Sequence, residues 1–396
     1  MSRFLFVVPP LTGHINPAVG VAAELAARGH ECAWVCPDPG LVRRLAGRTA
    51  VVFPCEGPVP GAGDGVRPPD IRGPEALKFL WERFLVPLAD EMAPGVRAAV
   101  ADFAPDAVVA DQQALAGGLV AERLGLPWAT SATTSAEFAD ALAGMPKVAE
   151  WLDGVLHQLR ARVGDPAGSG DPRFSPHLVL AFSTPELAAP ATHTERIRWV
   201  GPSIGHRPAA PGFPWHRLDP GRATVLVTLG TANTDVGARF LGECVRALRE
   251  RADRVQGVVV DPGAALGPPD DQDKDVLILP SVPQLALLER TQAVVCHGGH
   301  NTVCEALWHG VPLVVAPIRD DQPVVAAQVT AAGAGVRVRF GRVTAARLGA
   351  ALDAVLDEPG HRAATDRIRT AFRAAGGSRA AATHLERLVT SAKEDT

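Results

Sequence analysis

The sequence predicts an α/β protein built as two doubly wound parallel-sheet domains facing across a cleft. Three observations carry that expectation. Short apolar runs without strict alternation recur along the chain, as strands buried on both faces of a parallel sheet require. Longer segments of helical character separate them, the length of crossover connections. A proline-rich stretch near the middle splits the chain into halves that open alike, each with an apolar run, a glycine turn and a helix.

In the first half the strand candidates are residues 4–8, 32–36, 51–54, 107–110 and 128–130. The helix after the first of them is the best marked. Asn16 is a good N-cap, Pro17 suits the first helical position, and Gly29 suits the stop. Ala18, Val21, Ala22 and Leu25 give that helix its apolar face. Residues 56–73 are a loose Pro/Gly-rich stretch after the third strand, where loops line the ligand crevice of doubly wound folds. Gly201-Pro202, Pro208, Pro211, Pro214 and Pro220 make a stiff connector. In the second half the strand candidates are residues 224–228, 256–260, 276–279, 293–296 and 313–316. The division that follows is a first domain at 1–205, a linker at 206–222, a second domain at 223–378 and an exposed terminal helix at 379–396.

Composition narrows the function classes. The 396 residues exceed one ordinary core, and 47% hydrophobic with 21% charged residues is globular usage. A net charge of −4 gives no basic footprint, which argues against a nucleic-acid partner. Five apolar residues at 4–8 are too few for a signal-peptide core. No apolar run approaches the ~18 residues of a membrane span. Six cysteines scattered through so long a chain read as reduced thiols of a cytoplasmic protein.

The richest stretch for chemistry is residues 280–322. A strand at 293–296 ends in the turn His297-Gly298-Gly299, and a helix follows from Asn301. Two glycines let the backbone approach a ligand closely. A helix N-terminus offers N–H groups and partial positive charge, a natural diphosphate site. Asn301 and Thr302 can add donors there, and His297 can place a ring nitrogen beside the same phosphates. The plainer reading is a capped helix after a tight turn. A metal reading from Cys296, His297, His300 and Cys304 is weaker, because buried cysteines are usually packing thiols and no CxxC accompanies them.

This stretch resembles the UDP-glycosyltransferases of GT-B fold, including the bacterial polyketide-antibiotic enzymes. The match is Val282-Pro283-Gln284, then His297-x-Gly299-x-Asn301-Thr302-x-x-Glu305, then Gly310-Val311-Pro312, then Asp321-Gln322. The resemblance implies two Rossmann-like domains, with the nucleotide-sugar donor mainly on the second and a small-molecule acceptor on the first. It implies diphosphate contacts from His297, Gly299, Asn301 and Thr302, with Val282, Gln284 and Gly298 as further donor-binding candidates. It gives Glu305 the ribose hydroxyls, and Asp321 and Gln322 the sugar hydroxyls, which a carboxylate and an amide can grip. Thr231 matches a small hydroxyl residue at the diphosphate, and Thr228 and Gly13 are further donor candidates. One departure concerns the base. The plant branch has a stacking Trp where this chain has Ser281.

The resemblance also covers a candidate catalytic pair. Thr12-Gly13-His14-Ile15-Asn16-Pro17 puts His14 after the first strand, and Asp111 ends the strand at 107–110. Both positions lie at the carboxyl edge of the sheet, where ligands bind. Inverting transfer needs a base near neutral pH, and Asp can fix the tautomer of that base as in a serine triad without the serine. Alone, His14 reads more plainly as structural, and Asp111 reads equally well as a strand-end turn residue or helix N-cap. Phe79, Phe84, Phe138 and Met145, with Trp81 and Trp128, suggest an apolar acceptor pocket in which several must be core, and Thr133 is a polar acceptor candidate. Resemblance fades over 55–100 and 131–195.

The function implied is inverting transfer of a sugar from a dTDP- or UDP-sugar to a hydroxyl of a small, largely apolar acceptor. It implies no metal and no cofactor beyond the co-substrate, and a monomer or homodimer. A nucleotide-sugar epimerase of the same fold and a non-catalytic sugar-nucleotide binder are the alternatives. Gly201-Pro202-Ser203-Ile204-Gly205 fits a hydrolase G-x-S-x-G pattern, but no helix signal follows it. Asp271-Gln272-Asp273 sits in a charged loop and reads as a solvated turn.

Overall fold

A computed structural model describes residues 1–59, 73–139, 142, 144–189, 195–205, 212–230, 237–268 and 272–394. The first part of the chain forms β1 (Arg3–Val7), α1 (Thr12–Ala27), β2 (Glu31–Cys36), α2 (Pro39–Ala46), β3 (Val51–Pro54), α3 (Pro74–Leu80), α4 (Val86–Phe103), β4 (Ala107–Asp111), α5 (Leu115–Arg123), β5 (Trp128–Ala132), α6 (Pro146–Val163), β6 (Leu178–Ala181), α7 (Pro185–Ala188) and β7 (Ile197–Trp199). The second part forms β8 (Ala223–Thr228), α8 (Ala238–Arg249), β9 (Val255–Val260), β10 (Val276–Leu279), α9 (Gln284–Leu288), β11 (Ala293–Cys296), α10 (His300–Trp308), β12 (Leu313–Val315), α11 (Gln322–Ala331), β13 (Gly335–Arg337), α12 (Ala345–Asp357), α13 (Pro359–Ala375) and α14 (Gly377–Glu394).

The strands make two sheets in which every paired neighbour is parallel. Their orders are β3-β2-β1-β4-β5-β6-β7 and β10-β9-β8-β11-β12-β13. Both orders reverse direction at the strand that opens the sheet, β1 in one and β8 in the other. Ligands of such sheets bind beyond the carboxyl ends at that switch point. β6, β7 and β13 have no counterpart among the sequence candidates; two of them are three-residue edge strands.

Each sheet is covered on both faces. Leu5, Val7, Ala33 and Val35 face a layer that includes Leu88, Met92, Leu119 and Leu156. Phe4, Phe6 and Trp34 face the other way, toward Ile15, Val21 and Leu25 of α1. In the second sheet Leu226, Val258 and Val294 point to one layer, and Val225, Val227, Val259 and Val295 to the other. Burial on both faces is why these strands read as continuous apolar runs.

Contacts divide the chain into one unit of Met1–Ser183, Pro190–Pro208 and Ala375–Thr396 and another of Thr184–Ala189 and Ala209–Ala374. The second unit therefore borrows a short piece of the first half. Leu187 is buried in its core, and Gln328 Nε2 donates to Ala188 O at 3.0 Å.

Two local expectations are corrected. The terminal helix is not exposed along its length: Ala381, Ala382, Leu385 and Val389 are buried with the α1 face. Their spacing makes one apolar stripe. Gly377 N donates to Val200 O at 2.6 Å, the Ser203 and Ser378 hydroxyls meet at 2.7 Å, and Arg28 Nη1 donates to Glu386 Oε2 at 2.7 Å. The first helix begins at Thr12, with Pro17 inside it and buried. The amides of His14 and Ile15 both reach Leu11 O, which starts the helix before Asn16. Where no expectation was stated, a π-helical turn, Trp81–Leu85, joins α3 to α4. The Val86 amide reaches back five residues to Trp81 O. Pro87, next in line, has no N–H to give, so the hydrogen-bond ladder is interrupted here in any helical form and its register can change.

Candidate active site

In the first unit the switch point brings together residues far apart in sequence. β1 pairs with β4, so the start of α1 and the end of β4 are adjacent. His14 rides in the first turn of α1, whose N-terminus carries no side-chain cap. Its Nδ1 lies 2.9 Å from Asp111 Oδ1. The Asp111 side chain is fully buried and that of His14 is 17% exposed. The Gln113 amide also donates to Asp111 Oδ1, at 2.9 Å. Thr133, just beyond β5, completes the group: its Oγ1 is 3.0 Å from Asp111 Oδ2 and 2.8 Å from His14 Nδ1. Thr133 is buried, and its hydroxyl is turned to the pair; the sequence reading placed it at the acceptor.

The second unit repeats the arrangement with different chemistry. β8 pairs with β11, so the turn after Thr228 and the turn after Cys296 meet. The His297 ring is held between two glycines. A Cβ on Gly230 would lie 2.7 Å from His297 Cε1, and one on Gly299 would lie 2.4 Å from Nε2. Gly230 and Gly298 both have positive φ, at 70° and 90°, where a side chain would add strain. Burial pushes the His297 imidazole down to about 4; the nearby Arg319 works in the same direction, and a hydrogen bond to the Thr228 carbonyl opposes it. His297 is thus neutral at pH 7, a hydrogen-bonding group and not a cation. Its buried Nδ1 has no partner among the described residues. α10 begins behind it at His300, one residue before the expected Asn301. It has no side-chain cap and no acidic residue in its first turn. Thr302 and Glu305 are buried on α10.

Gln284, at the start of α9, donates from Nε2 to Glu305 Oε2 at 2.6 Å, which joins two separated parts of the sequence motif. Val282 packs against the same core layer, and Ser281 is exposed. Asp321 precedes α11 and is half-buried. Gln322 is buried, and its Oε1 accepts from the amides of Ile318 and Arg319 at 2.9 and 3.0 Å. That orientation leaves Nε2 as the group it can offer a ligand. Arg319, a cation beside His297, was missed in the sequence, where nothing but its place ahead of Asp321 marks it.

Other candidates fall as follows. Thr231 lies outside the described residues. Thr228 is buried, and its hydroxyl accepts from Gly230 N at 3.3 Å. Gly13 is exposed in the first turn of α1. Trp81 and Trp128 are core residues, while Phe79 and Phe84 are half-buried on α3 and the π turn. Phe138 is buried, with its ring 5.9 Å from Phe174 and 5.0 Å from Trp199, so it packs within the unit. Met145 is half-buried ahead of α6. His300 Nε2 and Cys304 Sγ face each other at 3.3 Å. Among the described residues no three His, Cys, Asp or Glu side chains are grouped to hold a metal. Asp273 accepts from the amides of Asp275 and Val276, which makes its loop a structural turn.

Comparison with known proteins agrees with this architecture. Residues 225–370 match the family model described as "UDP-glucoronosyl and UDP-glucosyl transferase". The chain is 33% identical to 4'-demethylrebeccamycin synthase of Lentzea aerocolonigenes, over 94% of this chain and 96% of that protein. It is 29% identical to demethyllactenocin mycarosyltransferase of Streptomyces fradiae, over 99% and 87%. The crystal structure of the kitacinnamycin glycotransferase superposes with a TM-score of 0.77 at 26% identity, covering 98% of each chain. The chain belongs to the UDP-glycosyltransferase family and is a glycosyltransferase of GT-B fold. Among the described residues, no helix is long and apolar enough to cross a membrane.

Proposed function

We propose that the protein transfers a sugar from a dTDP- or UDP-sugar to a hydroxyl of a small, largely apolar acceptor such as a polyketide natural product, with inversion. The observation that carries the reading is the 2.9 Å contact between His14 and the buried Asp111. With Nδ1 directed at Asp111, His14 Nε2 takes the acceptor hydroxyl proton. The oxygen forms its bond to the anomeric carbon as the bond to the β-phosphate oxygen breaks. The electron pair leaves with the nucleoside diphosphate, which is received at the first turn of α10 with His297 and Arg319 nearby. Asp111 stabilises the imidazolium that forms. Fixed donors aimed at developing negative charge are the larger part of such catalysis.

The relatives support the acceptor class, since their names specify formation of 4'-demethylrebeccamycin and mycarosyl transfer to demethyllactenocin. Burial raises the thiols of Cys32, Cys36, Cys55 and Cys296 to about 12, so they serve as packing groups in this reading and not as nucleophiles; a cytoplasmic monomer or homodimer is part of the same proposal. The test is a mass-spectrometric screen of dTDP- and UDP-sugars against macrolide, aromatic polyketide and flavonoid acceptors. The coupling constant of the new anomeric proton reports its configuration. Glycoside of inverted configuration is expected, with dTDP donors at least matching UDP donors because Ser281 cannot stack on the base. A retained configuration, or donor isomerisation without transfer, would overturn the proposal.

A further inference from the structure

We propose that Thr133 is a positioning residue, which locks the His14 imidazole in the tautomer able to act as a base; this rests on the base role given to His14 above. The argument is one of counting protons. Three polar groups form a closed triangle: His14 Nδ1 to Asp111 Oδ1 at 2.9 Å, His14 Nδ1 to Thr133 Oγ1 at 2.8 Å, and Thr133 Oγ1 to Asp111 Oδ2 at 3.0 Å. An ionised carboxylate only accepts, and a hydroxyl has one proton to give. If Thr133 gave that proton to Nδ1, a bare Nδ1 would face Oδ1 with two lone pairs in contact. One assignment satisfies all three edges. Thr133 donates to Oδ2, and a proton on Nδ1 is shared between Oδ1 and the Thr133 oxygen. Nε2 then carries the lone pair.

Asp111 alone would not achieve this so firmly. Its Oδ1 already accepts from the Gln113 amide at 2.9 Å, and its side chain is fully buried. Without Thr133, Oδ2 loses its donor, and the carboxylate and ring are free to turn out of the geometry that favours Nδ1–H. The hydroxyl also fixes ring rotation, since Nδ1 is held from two directions. Thr133 is 4% exposed, too enclosed to serve chiefly as a contact for a bulky acceptor.

The test uses full-length protein with 15N-labelled histidine, the His14 signals being assigned by their loss in His14→Gln. Near neutral pH, wild type should show Nδ1 protonated and Nε2 bare. Thr133→Val should populate the other tautomer and lower kcat by about 10- to 100-fold, part of what a positioned base contributes, with little change in acceptor KM. Thr133→Ser should restore both readouts. If Thr133→Val does not fold, Thr133→Ala is read in the same two ways. A wild-type His14 protonated on Nε2 overturns the proposal. So does an unaltered tautomer with unaltered kcat in Thr133→Val, or a raised acceptor KM with kcat intact, which would make Thr133 an acceptor contact. Full activity of His14→Ala would instead remove the base reading beneath it, whatever Thr133 does.

Discussion

His14 and His297 are the same residue type set to different work by their surroundings. His14 keeps 17% of its side chain exposed and has a carboxylate on Nδ1, which suits taking and releasing a proton. Replacing it by Ala should lower kcat by roughly 10²–10⁴, the worth of a positioned general base, and leave donor affinity nearly unchanged. Steady-state kinetics with varied donor separates the two effects. His297 is enclosed between glycines and stays neutral down to about 4. An unfolded imidazole titrates near 6.5. Between those values the unfolded chain binds the extra proton, so stability is retained above 6.5 and lost as pH falls toward 4. The slope from this group is about 1.4 kcal/mol per pH unit. Urea unfolding at a series of pH values should show that loss in wild type and a flatter curve in His297→Asn.

At the scale of elements, helix ends do the positioning. α1 and α10 both start uncapped by any side chain, directly after the first and fourth strands of their sheets respectively. The terminal helix α14 acts from behind, by covering α1. Leu385 is fully buried in that seam. Leu385→Ala should cost about 2–5 kcal/mol, the usual range for a buried leucine. Chemical denaturation measures it, and a change under about 0.5 kcal/mol would mean that α14 does not stabilise α1 as described. Asp111 and His14 were legible because strand ends and glycine turns mark the carboxyl edge of a sheet. Thr133 was not read as their partner, because nothing in the sequence says which way the chain turns after β5.

For the whole molecule, the same order of six strands occurs twice, with His14 beside Asp111 at one switch point and the His297 turn at the other. In the proposed reaction the charge of the leaving group falls to helix amides, His297 and Arg319, with no step assigned to a metal. Transfer should therefore persist in excess EDTA. Loss of activity that Mg²⁺ restores would show that the diphosphate needs a cation this site does not supply.

The amino-acid sequence by itself determined the class of fold, most of its strands and the strand–turn–helix around His297. Those features depend on local rules, namely apolar runs buried on both faces, glycines at turns, and motif residues within one strand–turn–helix. Tertiary structure alone decided the rest. It buried Trp81, Trp128 and Phe138, folded α14 back onto α1, gave Thr184–Ala189 to the second unit and closed the His14–Asp111–Thr133 triangle. Each of these depends on which distant surfaces pack together. Packing is a property of the whole chain, and no local spacing encodes it.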